Sequence, residues 1–154
     1  MKRDFEKISF EQFKKDICDD KELYESYSLP TRNSKSSAGY DFHLIQDIEI
    51  KPGEIIKIPT GIKSYFGEDE VLFLIVRSST GFKYNIRMVN QVGVVDADYY
   101  NNSSNEGHLF VKIQNEGDKT VSFKKDDVVA QGVFLKYLTT DSDIELGKER
   151  TSSY

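Results

Sequence analysis

The apolar pattern changes character once along the chain. Before residue 29 the large apolar side chains, Phe10, Phe13, Ile17, Tyr24 and Tyr27, recur at roughly helical spacing among Lys, Asp and Glu, as in one or two amphipathic helices. Ser9-Phe10-Glu11-Gln12 has the form of a capping box at the first helix start. Leu29-Pro30-Thr31 ends the stretch, since proline cannot donate to a continuing helix and drives the preceding residue out of the α region. From Ala38 a β pattern takes over, with strands expected at 40–50, 55–58, 62–66, 71–76, 84–89, 92–95, 108–114, 120–123 and 128–137. The 71–76 run is apolar throughout, as in a strand buried on both faces. Residues 92–95 read as a second buried strand, which the polar loop 101–107 returns along 108–114 as a hairpin. The expected organisation is an N-terminal helical extension over 1–28, a mainly β domain of sandwich or jelly-roll type over 29–138, and a flexible tail over 139–154.

Length and charge narrow the classes. The 154 residues suit a single domain. A net charge of −5 argues against a surface that grips nucleic acid, which needs clustered Lys and Arg. No run reaches membrane-spanning length, no apolar signal segment opens the chain, and the lone Cys18 has no intrachain partner; the cytoplasm is the expected compartment. The apolar stripe of the N-terminal segment is expected to pack on the domain or a neighbouring subunit, with a protein partner as the alternative.

Candidate chemistry collects at three places. Asp96, at the exit of the 92–95 strand and near Gly93, suits a fixed general base beside a flat substrate to which backbone can come close. Arg77-Ser78-Ser79-Thr80-Gly81 follows a buried strand with a guanidinium fork, hydroxyls and a glycine, a set suited to phosphate. Gln131, in an otherwise apolar run, needs a hydrogen-bond partner. Zinc-type spacing of His and Cys is absent, so a metal, if used, would be Mg²⁺ held largely through substrate phosphates.

Taken in order, five segments resemble the motifs of the trimeric dUTPase family. They are Ala38-Gly39-Tyr40-Asp41-Phe42, Arg77-Ser78-Ser79-Thr80-Gly81-Phe82-Lys83, Asn90-Gln91-Val92-Gly93-Val94-Val95-Asp96-Ala97-Asp98-Tyr99, Asp126-Asp127-Val128-Val129-Ala130-Gln131 and, in part, Arg150-Thr151-Ser152-Ser153-Tyr154. The resemblance implies a jelly-roll-like β fold, a homotrimer with shared active sites, and hydrolysis of dUTP with Mg²⁺. It makes Asp96 the base, gives the phosphates to Arg77, Ser78, Ser79 and Gln131, and places Asp41 at the metal through water. Asn90, with the backbone of Val94, Val95 and the strand near Phe110, would read uracil. Tyr99 would lie under the deoxyribose, Arg150 would meet the γ-phosphate and Tyr154 would cover the base.

Departures from the family pattern set further expectations. Asp126 stands at a usual glycine, the loop 100–106 is long, and Ser152 and Ser153 replace glycines of the fifth motif. With the motif present only as far as Tyr154, the tail is expected to be loose without nucleotide and the enzyme slow. Two other readings compete. One is a nucleotide-binding regulator of the same fold that acts through a protein partner. The other is a dCTP deaminase, disfavoured because 108–114 carries no carboxylate for the proton shuttle.

Overall fold

The computed structural model describes residues 2–144 and 150–154. It is mainly β: strands β1 (Asp4–Lys7), β2 (Thr31–Arg32), β3 (Tyr40–His43), β4 (Ile48–Ile50), β5 (Ile55–Pro59), β6 (Ile62–Tyr65), β7 (Glu70–Val76), β8 (Ile86–Met88), β9 (Gly93–Val95), β10 (Phe110–Asn115), β11 (Val121–Phe123) and β12 (Val128–Lys136). Helices α1 (Phe10–Asp16) and α2 (Lys21–Ser26) precede the strands after β1, and α3 (Ser78–Tyr84) follows β7. The strands form antiparallel sheets in the orders β2-β3-β12-β7-β9, β5-β10-β8, β4-β11 and β1-β6. This is the jelly-roll-like architecture expected from many short, evenly spaced strands.

β7 explains why the sheets close on one core. Its neighbours β12 and β9 satisfy both edges, and Leu72 and Leu74 are buried in the same core cluster as Phe42, Ile113 and Val129. Full burial of one such side chain contributes about 1.5–3 kcal/mol. No helix among the described residues is long and apolar enough to cross a membrane.

Residues 2–28 are more than a helical extension. They open with β1, which pairs with β6 in register Phe5↔Ser64, and Phe5 packs on Tyr40, Phe42 and Phe134. Ser9 caps α1 by accepting from the Gln12 amide at 3.1 Å. The reciprocal half of the capping box is not made, because the Gln12 side chain donates to Asp16 and the Ser9 amide donates to Glu106 at 2.6 Å. Phe13 and Tyr27 are buried, and the Tyr27 hydroxyl donates to the Gly61 carbonyl at 2.8 Å.

Four strand expectations need correction. The 40–50 strand is two strands, β3 and β4, belonging to different sheets. The Ser78–Tyr84 segment is helical, ended by Asn85 in the left-handed region at φ 58°, so only Ile86–Met88 remains of the 84–89 strand. Residues 92–95 and 108–114 do not form a hairpin: β9 pairs with β7, and β10 pairs with β5 and β8. Nor is that first run buried throughout, for Val92 and Val94 are exposed while Gly93 and Val95 face inward.

Candidate active site

The local structure around Asp96 follows from β9. Gly93 allows close packing against β7, where a Cβ would come to 3.1 Å from the Leu74 Cβ. The ladder Leu72↔Val95 then delivers Asp96 at the strand exit, followed by a 3₁₀ turn at Ala97–Tyr99. Tyr99 is buried, and burial raises its pKa. Its hydroxyl receives from Asn105 at 2.7 Å.

A cavity of about 120 Å³ lies over this strand exit, and Asn90, Gly93, Val94, Val95, Asp96, Tyr99, Arg150 and Tyr154 all line it. Phe110 lines an adjoining cavity of about 250 Å³ that shares Asn90 and Tyr154 and adds Lys57 and Lys112. The Lys57 amine stands 4.4 Å from the Phe110 ring centre, a cation–π contact. Neither lysine stands out in the sequence, because each alternates with apolar neighbours as any strand-surface lysine would. These spaces suit a planar base better than a whole nucleoside triphosphate.

The tail is described at its two ends. Residues 145–149 of the expected flexible segment lie outside the described residues, whereas 150–154 sit folded on the site. Tyr154 packs at 5.0 Å from Phe110 and 5.9 Å from Tyr99, ring centre to ring centre. Although about half of Tyr154 stays exposed, partial desolvation between these rings raises its phenol pKa, against the Phe110 carbonyl to which it donates. Arg150 donates to Asp98 at 2.9 Å and also to Asp96, so here its guanidinium faces the carboxylates.

The expected phosphate ligands gather elsewhere. Gln131 of β12 lies opposite Asp41 of β3 on one side and Ile75 of β7 on the other. Its amide donates to the Val76 carbonyl at 3.4 Å, and Gly39 leaves it room, since a Cβ there would fall 2.0 Å from Gln131 Oε1. Arg77 leaves β7 with its amide bonded to Val129. Ser78 and Ser79 are exposed in the first turn of α3. Along β7, Arg77 lies five residues beyond Leu72, the partner of Val95. At 3.2–3.4 Å per residue that is about 17 Å. The expected site residues of the chain therefore fall into two groups, one around the expected base and one of the expected phosphate ligands, two half-sites.

Asp41 is the one carboxylate in the second half-site that fits a magnesium role. It is 9 % exposed, and while its backbone is paired in β3, its carboxylate makes no hydrogen bond or ion pair among the described residues. No group of three or more His, Cys, Asp or Glu side chains that could hold a metal forms among them. That suits an ion that takes one or two carboxylates and completes its shell with water and substrate phosphates.

A mainly β fold with a base-sized cavity, a carboxylate at its rim and a separate arginine–hydroxyl–amide cluster defines a nucleotide-processing protein. Comparison with known proteins narrows this. A sequence model of the family described as dUTPase matches residues 25–153. The deoxyuridine 5'-triphosphate nucleotidohydrolase of Lactococcus lactis is 43% identical over 128 residues, covering 82% of this chain and 85% of that protein. Its Haemophilus ducreyi counterpart is 33% identical over 136 residues, 86% of each. The crystal structure of dUTPase from Streptococcus mutans is 38% identical and superposes with a TM-score of 0.72 over 90% of this chain and 98% of that one. The dUTPase of phage phi11 of S. aureus shares the fold at 20% identity, with a TM-score of 0.70. The chain belongs to the dUTPase family.

Proposed function

We propose that this protein hydrolyses dUTP to dUMP and pyrophosphate, with Asp96 as the general base and with each active site assembled from the two half-sites of different subunits in a homotrimer. The observation that carries the reading is the convergence of Asp96 and five expected nucleoside contacts, Asn90, Val94, Val95, Tyr99 and Tyr154, on one cavity, while Arg77 and its neighbouring phosphate ligands stand about 17 Å along β7.

The roles follow from position. Asn90, at the cavity rim with no side-chain partner among the described residues, is free to pair with the uracil edge, as are those backbone groups of the edge strand β9 that alternate with the ones bonded to β7. The Tyr99 ring under the sugar leaves no room for a 2′-hydroxyl, which rejects UTP. Asp96 takes a proton from the attacking water. As the water oxygen bonds to the α-phosphorus, the bond to the α–β bridging oxygen breaks and pyrophosphate leaves with that electron pair. Arg77, Ser78, Ser79 and Gln131 hold the phosphates, and Arg77 offsets charge on the departing group. Asp41 would hold Mg²⁺ through water; that ion supplies further charge neutralisation on the triphosphate.

Deamination of dCTP does not fit, because β10 reads Phe110-Val111-Lys112-Ile113-Gln114-Asn115 and offers no carboxylate to the site. The decisive experiment is pyrophosphate release by the purified protein with dUTP, dCTP and UTP, with and without Mg²⁺. Selective release from dUTP is expected. Equal release from UTP would sink the Tyr99 role, and ammonia release from dCTP would replace the reading.

A further inference from the structure

The loop 101–107 is built as a rigid body. The Asn102 amide donates to the Tyr99 carbonyl at 2.7 Å and to Asn105 Oδ1 at 2.9 Å, and Asn102 Oδ1 accepts from the Ser104 amide, the Ser104 hydroxyl and the Asn105 amide at 2.8–3.1 Å. Gly107 closes it at φ 91°, where a Cβ would stand 2.9 Å from the Tyr99 carbonyl, so the reversal requires glycine. The N-terminal segment braces the outer side. Glu106 accepts from the Ser9 amide and hydroxyl, each at 2.6 Å, and from Lys63 at 3.0 Å, while the Tyr100 hydroxyl donates to Glu6.

This braced loop meets the tail at one residue. Ser104 Oγ accepts from the Ser152 amide at 2.7 Å. The Asn105 amide donates to Ser152 Oγ at 3.1 Å, and the Tyr99 hydroxyl reaches it at 3.2 Å. Ser152 Oγ also accepts from the Tyr154 amide at 3.1 Å, a turn that aims the Tyr154 ring at Phe110. A glycine at 152 keeps the first contact and loses the other three.

We propose that Ser104, Asn105 and Ser152 are positioning residues that latch the C-terminal segment over the base cavity before nucleotide binds, and that the long loop and its N-terminal brace exist to present this latch. Serine at 152 is then a docking group that does by side chain what a flexible glycine leaves to the ligand. A pre-ordered tail spares the nucleotide the entropy of folding it down, so the latch acts on binding more than on chemistry. The kinetic part rests on the dUTP reading; the docking does not.

The test compares the full chain with Ser152→Gly, Ser104→Ala and the conservative Ser152→Thr. Hydrogen exchange is followed by mass spectrometry at residues 150–154 without nucleotide. Ser152→Gly and Ser104→Ala should exchange about tenfold faster there than the parent, the worth of one net hydrogen bond, with unchanged thermal midpoints, and Ser152→Thr should stay near the parent. For dUTP, KM should rise about tenfold in the first two variants while kcat stays within about twofold. Parent-like exchange in both would overturn the latch. So would a Ser152→Gly variant with lower KM, since serine would then be a defect. Faster exchange in a protein that leaves dUTP intact would keep the latch and reject the hydrolase reading.

Discussion

Arg150 of the tail donates to Asp96, the proposed base, and at 2.9 Å to its neighbour Asp98. The two carboxylates hold the guanidinium expected at a γ-phosphate, so binding of a triphosphate has to draw Arg150 away from Asp96 before that carboxylate can take a proton. The Asp96→Asn variant removes one competitor for Arg150 as well as the base. It is expected to bind a non-hydrolysable dUTP analogue at least as tightly as the parent and to turn over about 10²–10⁴ times more slowly. Calorimetry and single-turnover kinetics check both parts, and a variant keeping half the parent rate would remove Asp96 from the mechanism.

His108 gives the fold a pH dependence. Its ring is fully buried, Nε2 accepts from the Gly61 amide at 2.9 Å, and Nδ1 donates to Asp16 of α1 at 2.6 Å. Burial lowers its pKa below 6.5, with Lys57 acting in the same sense and Asp16 and Glu106 opposing. Protonation would set two donors face to face at Gly61. Since the unfolded chain binds this proton more readily, stability is full above about pH 6.5 and falls as pH drops through the window beneath it, by at most about 1.4 kcal/mol per pH unit. Urea midpoints at pH 7.5, 6.5 and 5.5 should show this slope, and His108→Gln should flatten it.

Asp126 adopts φ 74°, a conformation that glycine takes freely and that costs most residues about 1–2 kcal/mol. Its side chain is exposed, so its charge is solvated. Asp126→Gly should raise stability by about 0.5 kcal/mol after the entropy that glycine adds to the unfolded chain, or about 1–2 °C in thermal midpoint. Asp126→Asn, which tolerates the same φ, should leave kcat/KM for dUTP within about twofold. A larger gain from Asn would mean that the charge does reach the phosphates.

Elements that local pattern determines were readable from residues alone. The Ser9 cap and the buried run that became β7 are of this kind; at the cavity the residues alone single out only Asp96 and Gly93, and its other lining residues enter through the resemblance to the dUTPase motifs. β1 was missed because only Phe5 of Asp4-Phe5-Glu6-Lys7 turns fully inward, too little for an alternating signal, and its pairing with β6 is a long-range contact. α3 was missed because Ser78-Ser79-Thr80-Gly81 are weak helix formers; the αL cap at Asn85 and its packing hold it. The false hairpin arose because a polar loop between two apolar runs says nothing of which neighbour each run will pair with. Tail contacts such as Arg150 with Asp96 are tertiary throughout and leave no periodic trace.

The last prediction concerns sharing of the site. Within one chain the β7 ladder fixes Arg77 and Asp96 on opposite ends of the same sheet, and no side-chain rearrangement spans about 17 Å of strand. If the half-sites of neighbouring subunits complete one another, Arg77→Ala and Asp96→Asn destroy different halves of every site. Each variant alone should then be nearly inactive, while mixed trimers join an intact base from one chain to intact phosphate ligands from another. Random exchange of subunits in equal amounts restores about a quarter of the sites. Light scattering should show a trimer at micromolar concentration for the parent and both variants. Mixing after mild denaturation and refolding should recover roughly 25% of parental kcat at unchanged KM. Recovery no greater than the sum of the two separate variants, with trimers present, would place both halves of the working site on one chain and overturn the shared arrangement.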